Sequence, residues 1–196
     1  MEAPAGHDGP PLLARLRNAV GFERPPPAPG GRRRASVLLV FDPSRPSLPL
    51  LFILRSASLR SHAGQIAFPG GSSEPGDRDP VATALREARE EVALAPSNVD
   101  ILGTLPPLLT AVSDLWLTPV VGLQREPWTI VVDEIEVAEW FRVDLDTLLS
   151  TPHTVRTMSR NGETRAVHFY ETSGRVIWGV SAAILHELMQ RLGRED

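Results

Sequence analysis

Glu87, Glu90 and Glu91 stand at i, i+3 and i+4 within GGSSEPGDRDPVATALREAREEVAL, residues 70–94. At about 100° per residue, that spacing puts the three carboxylates on one face of a helix. Like charges a turn apart repel by roughly 0.2–0.5 kcal/mol per pair, so something must offset them. Taken alone, E-x-x-E-E is most often a solvated surface. A divalent cation is the reading that answers the repulsion, because carboxylate oxygens suit Mg²⁺ or Mn²⁺ and leave coordination positions for substrate phosphates. Leu85, Ala88 and Val92, with Val81 a turn earlier, form an apolar stripe roughly opposite the glutamates. Burying that stripe fixes the helix and presents its acids to a cleft. Arg86 and Arg89 lie between the two faces, close enough to orient carboxylates.

The same segment resembles the Nudix box, G-x5-E-x7-R-E-U-x-E-E-x-G-U with U apolar. Gly71 matches the first glycine, and Arg86, Glu87, Ala88, Glu90, Glu91 and Leu94 follow in order. Asp77 replaces the first glutamate, eight residues rather than seven separate it from Arg86, and Ala93 replaces the last glycine. The extra residue falls before the helix and leaves the glutamate spacing intact. Ala93 needs an exit conformation that a side chain can hold.

A second segment, LFILRSASLRSHAGQIAFPGG at residues 51–71, resembles the signature of the coenzyme A pyrophosphatase branch of that family, L-L-T-x-R-S-x3-R-x3-G-x3-F-P-G-G. Arg55, Ser56, Arg60, Gly64, Phe68, Pro69, Gly70 and Gly71 fall in register; Phe52 and Ile53 depart from it. A third, LLTAVSDLWLTPVV at residues 108–121, resembles the branch's L-L-T-x-x-S-x6-P run. The resemblance extends from about Arg33 to Leu188.

That resemblance implies an α/β/α sandwich with a mixed β-sheet, a fold that periodicity alone does not choose. It implies Mg²⁺ or Mn²⁺ on Glu87, Glu90 and Glu91, with Arg86 orienting a carboxylate. Glu136 stands where this branch would supply a general base. The implied reaction is hydrolysis of the coenzyme A pyrophosphate to 3′,5′-adenosine bisphosphate and 4′-phosphopantetheine. Arg55 and Arg60 can clamp phosphate oxygens by charge-assisted bonds, and Gly70 and Gly71 permit close backbone approach. The alternatives are a Nudix hydrolase of ADP-ribose or a dinucleotide, and a non-catalytic nucleotide-binding module. The retained glutamates favour an enzyme. A homodimer is expected by analogy only.

Composition sets the outer limits. At 196 residues the chain can build one substantial core. With 42% hydrophobic and 22% charged residues it has an ordinary globular balance. A formal net charge of -4 argues against general nucleic-acid binding. There is no cysteine, which excludes disulfides and thiol chemistry. No apolar run suggests a membrane span and no basic start with an apolar core suggests a signal peptide, so the cytoplasm is the expected location.

The elements that must position these residues follow from period and punctuation. Leu12, Leu13, Leu16 and Val20 have helical spacing, predicting a short helix over 11–22, and PPPAPGG then reads as a linker. We divide the chain into this N-terminal helix and linker, residues 1–31, and a catalytic domain, residues 32–196. Strands are expected over 35–41, 50–55, 65–68, 99–105, 115–123, 128–132 and 138–143. A further sheet section is expected over 155–158, 164–170 and 175–178. Helices are expected over 79–93, with Asp79 as N-cap and Pro80 in the first turn, over 144–149 and over 181–192.

Overall fold

The computed structural model of the protein describes residues 11–21, 26–59, 61–110, 113–160 and 162–193. Arg60, the second expected phosphate ligand, lies outside them. The elements, in chain order, are α1 (Leu12–Ala19), β1 (Arg34–Phe41), β2 (Leu50–Arg55), β3 (Ile66–Ala67), β4 (Gly70–Ser72), α2 (Pro80–Val92), β5 (Val99–Thr104) and β6 (Leu108–Leu109). They continue with β7 (Trp116–Gln124), β8 (Val137–Val143), α3 (Leu145–Ser150), β9 (His153–Arg160), β10 (Glu163–Thr172), β11 (Arg175–Trp178) and α4 (Val180–Arg191).

Alternation along the central strands builds two cores. In β1, Ala35, Leu39 and Phe41 join one cluster, while Leu38 and Val40 join the other. In β2, Leu50 and Phe52 face the first cluster and Leu51 and Ile53 the second. A strand alternates its side chains between faces, so each strand is buried on both sides. Ala84, Ala88 and Val92 of α2 close the second cluster. Leu16 of α1, Leu145 and Leu148 of α3, and Ile184, Leu185 and Leu188 of α4 close the first. The result is an α/β/α sandwich.

The main sheet is mixed. β1 runs parallel to β7 through eight paired positions, Arg34↔Trp116 to Phe41↔Leu123, and antiparallel to β2 and β4. β8 pairs antiparallel with β2, and β5 and β6 pair with β7. β9, β10 and β11 form a separate three-stranded antiparallel sheet, against which α4 packs.

One expectation is corrected. Residues 128–132 form no strand. They extend over the end of α2, where Trp128 Nε1 donates to the Val92 carbonyl at 3.2 Å and the Asp133 N–H donates to the Glu91 carbonyl at 3.1 Å. The last carbonyls of a helix lack intrahelical donors, and this segment supplies them instead of joining a ladder. Conversely, Gly70–Ser72 is a strand despite its glycines, because it pairs with β1 through Ala35↔Ser72, Ser36↔Gly71 and Val37↔Gly70. Among the described residues, no helix is long and apolar enough to cross a membrane.

Candidate active site

Helix α2 begins where Asp79 accepts a hydrogen bond from the Ala82 N–H at 2.8 Å, with Pro80 in the first turn. Such a cap contributes about 1 kcal/mol. It ends at Ala93, whose φ of 54° and ψ of 29° are left-handed. The box glycine would adopt that conformation freely; the alanine side chain costs on the order of 1 kcal/mol there.

The buried face of α2 is not opposite the glutamates, as the sequence suggested. Glu91 lies three residues after Ala88 and seven after Ala84, on the same face, and is only 1% exposed. A buried carboxylate needs partners. Glu91 has two: the Gly70 N–H donates to Oε2 at 2.9 Å, and Arg55 Nη1 approaches Oε1 at 3.3 Å. Arg55 arrives there because it continues the Leu51–Ile53 face of β2, which packs on α2. The arginine expected to hold phosphate is thus also the charge partner of a glutamate. Burial, first of all, pushes Glu91 up to about 8; the Gly70 hydrogen bond and Arg55 oppose the rise, while Glu87 and Glu136 add to it.

Glu87 sits against the backbone of Gly71. A Cβ on that residue would stand 2.6 Å from the Glu87 carboxylate, so only glycine leaves the carboxylate its place. Burial raises the proton affinity of Glu87, Arg86 lowers it, and Glu90 and Glu136 raise it further. Glu136 therefore lies within electrostatic reach of both Glu87 and Glu91. Its backbone is fixed by the Ser56 N–H donating to its carbonyl at 2.8 Å, at the end of β2. Glu90 is the exposed member, with 58% of its side chain in solvent.

Arg86 gathers the acids. Its Nη1 lies 3.0 Å from Glu87 Oε1 and 3.0 Å from Glu90 Oε2, and its Nη2 donates to the Ser72 carbonyl at 2.9 Å. Nε and Nη2 also donate to Asp77, at 3.2 and 3.1 Å. Asp77, the residue in place of the box's first glutamate, thus anchors the arginine that touches two box acids. Its role as anchor was not legible from spacing. The Arg86 guanidinium holds the Asp77 carboxyl down at about 2. A depressed carboxylate contributes stability above its unfolded value of 3.8, lost as pH falls through about 2. Asp77→Asn is therefore expected to flatten the acid limb of stability seen by urea titration. With Arg86 released, hydrolysis should fall about 10–100-fold, as for other outer-shell partners; wild-type kinetics in the variant would remove Asp77 from this role.

Polar side chains of the other two family-like segments are satisfied locally. Thr110 and Ser113 bond each other at 2.7 Å, and Thr110 accepts from the Leu115 N–H. His62 bonds Gln65 at 2.9 Å. A groove lined by Arg78, Leu85, Arg86, Arg89 and Glu90 runs along the outer side of α2. Glu87, Glu91 and Arg55 are not part of its lining.

The profile of the NUDIX domain matches residues 31–158. The chain belongs to the Nudix family. This Nudix protein is 41% identical over 184 residues to the uncharacterized Nudix hydrolase NudL of Photorhabdus laumondii, spanning 92% of this chain and 97% of the relative. It is 42% identical over 161 residues to the protein of that name from Pectobacterium atrosepticum, spanning 82% and 83%. The MutT protein from Methanosarcina mazei shares the fold with a TM-score of 0.53 at 17% identity, over 89% of this chain and 97% of its own. Nudix hydrolases act on nucleoside diphosphate derivatives and generally use divalent metals such as Mg²⁺ or Mn²⁺. The chemistry of the donor set suits such an ion: Arg86 draws Glu87 and Glu90 together, Glu91 is buried at raised proton affinity, and Gly71 keeps the approach to Glu87 free of a side chain, while among the described residues the three carboxylates do not close into a compact ligand cluster.

Proposed function

We propose that this protein hydrolyses the pyrophosphate bond of coenzyme A or its derivatives, giving 3′,5′-adenosine bisphosphate and 4′-phosphopantetheine. One observation carries the reading. The segment with the coenzyme A-branch pattern is the one that touches the box acids: Arg55 and Gly70 hold Glu91, and Gly71 borders Glu87. Residues of the two sequence patterns are thus in direct contact, which supports a shared site.

Glu87, Glu90 and Glu91 would hold Mg²⁺ or Mn²⁺, which supplies charge neutralisation at the pyrophosphate and acidifies the attacking water. The protein's own groups do the rest. The Gly70 N–H and Arg55 keep Glu91 oriented in a dry setting, where its charge acts strongly. Arg55 offers its remaining N–H groups to phosphate oxygens, bidentately where the geometry allows. Arg86, anchored on Asp77 and Ser72, sets the positions of Glu87 and Glu90. Glu136 faces the same carboxylates and takes the proton from the attacking water.

The test is turnover of coenzyme A by purified protein with Mg²⁺, with Mn²⁺ and with chelator, products separated by chromatography. Metal-dependent release of adenosine bisphosphate and phosphopantetheine is expected. Turnover of ADP-ribose or a dinucleotide in place of coenzyme A would keep the hydrolytic site and overturn the substrate. No turnover of any of them would favour a binding module.

A further inference from the structure

Three of the chain's five histidines meet far from the glutamate helix in sequence: His153 opens β9, His168 lies in β10 and His186 lies in α4. β9 and β10 pair with His153 opposite Tyr170, so His168, two residues before Tyr170, shares the face of His153. Helix α4 lays His186 over the pair. The ring centroids of His153 and His186 are 4.2 Å apart, and those of His168 and His186 are 4.9 Å apart. His153 Nε2 and His168 Nδ1 are 2.8 Å apart. One ring nitrogen from each histidine falls within 4.8 Å of the other two.

Stacked imidazoles alone would be an aromatic cluster. Two observations point further. His186 Nδ1 is buried with no hydrogen-bond partner among the described residues, and a buried polar atom left without a partner is costly. The donor set is three imidazoles with no carboxylate. Imidazole suits borderline cations such as Zn²⁺, whereas carboxylate oxygen suits Mg²⁺ and Mn²⁺. The main sheet lies between the cluster's helix α4 and the glutamate helix α2, since their apolar faces join different cores.

We propose that His153, His168 and His186 form a second metal site, taking a borderline divalent cation of the Zn²⁺ class and separate from the Nudix carboxylates. Zn–N bonds of about 2.0–2.1 Å in tetrahedral geometry place ligand nitrogens roughly 3.3 Å apart. The 2.8 Å His153–His168 nitrogen contact and the 4.8 Å span of the cluster bracket that value. Three protein ligands leave a fourth position for water. The bound ion would tie α4 to the small sheet and stabilise that half of the molecule by mass action.

The test uses tag-free full-length protein in excess Mg²⁺, which occupies the carboxylates. Zn²⁺ is added, the protein is dialysed, and retained zinc is measured by elemental analysis. Co²⁺ is then used in place of Zn²⁺ to read the visible bands of a four-coordinate nitrogen site. The wild type and Glu91→Gln should each keep one equivalent of zinc. His186→Gln and His168→Gln should bind it at least about 100-fold more weakly, more than the loss of an outer-shell partner. Mg²⁺-dependent hydrolysis should be unchanged in both histidine variants. Zinc retained equally by a folded histidine variant would overturn the site, as would a wild type that keeps none or shows only octahedral Co²⁺ bands. If one variant does not fold, the other and the wild-type cobalt spectrum decide.

Discussion

Glu91→Gln is expected to lower metal-dependent hydrolysis about 10²–10³-fold, the usual cost of removing one preorganised charge-stabilising group, while making the metal-free protein more stable above neutral pH. Both effects come from one buried carboxylate. Its folded value of about 8 lies above the ordinary 4.5. A raised carboxylate contributes its stability below the unfolded value and loses it as pH rises through the folded one. In chelator, wild-type stability should therefore fall between about pH 4.5 and pH 8, by on the order of a few kcal/mol. Glutamine carries no charge and should remove this slope. The Gly70 N–H can still donate to the glutamine oxygen, so the fold is retained; Arg55 loses its charge partner. The measurements are urea titrations across that pH range in chelator, and kcat with Mg²⁺. Parallel pH profiles for the two proteins would show that Glu91 is not buried as charge, and unchanged kcat would remove it from the site. The pattern is a stability–activity trade-off, in which a site holds a charge that the fold alone would not choose.

Adjacent glycines should fail in opposite ways. A Cβ on Gly70 would stand 2.4 Å from the Ser36 carbonyl oxygen and 2.6 Å from Val37 Cα. Both atoms belong to the backbone of central strand β1, which is paired on both edges and cannot retreat. Gly70→Ala is expected to cost about 3 kcal/mol or more, a fall in Tm of roughly 6–12 °C for a chain of this size. At Gly71 the atoms nearest the Cβ are those of the Glu87 carboxylate, at 2.6 Å. That group is the end of a flexible side chain and can swing away. Gly71→Ala should leave Tm within about 2 °C of the wild type and lower kcat about 100-fold by displacing Glu87, a proposed metal ligand. Thermal melts and steady-state kinetics on both variants separate the two. A stable, active Gly70→Ala protein, or a Gly71→Ala protein that melts early yet turns over normally, would contradict this account of β4.

Where local signals were complete, sequence and structure agree. Asp79 and Pro80 open α2 because a cap and a preset φ act within one turn. ASVLLVF becomes β1 because it can be buried on both faces. The segment 128–132 misled because apolar, β-branched residues suit either a strand or an apolar cover; the free carbonyls at the end of α2 decided between them. Glycines 70 and 71 gave no strand signal, and they pair with β1 for want of any side chain that would prevent it.

The sequence by itself determined the box acids, the helix that carries them and most of the strands, since spacing along one helix and alternation along one strand are local properties. The tertiary structure decided which acid is buried, which arginine meets it, that Asp77 anchors Arg86, and that histidines from β9, β10 and α4 converge. Those contacts join residues 9 to 36 positions apart, and in each the choice of partner depends on how separate elements pack, which no local period encodes.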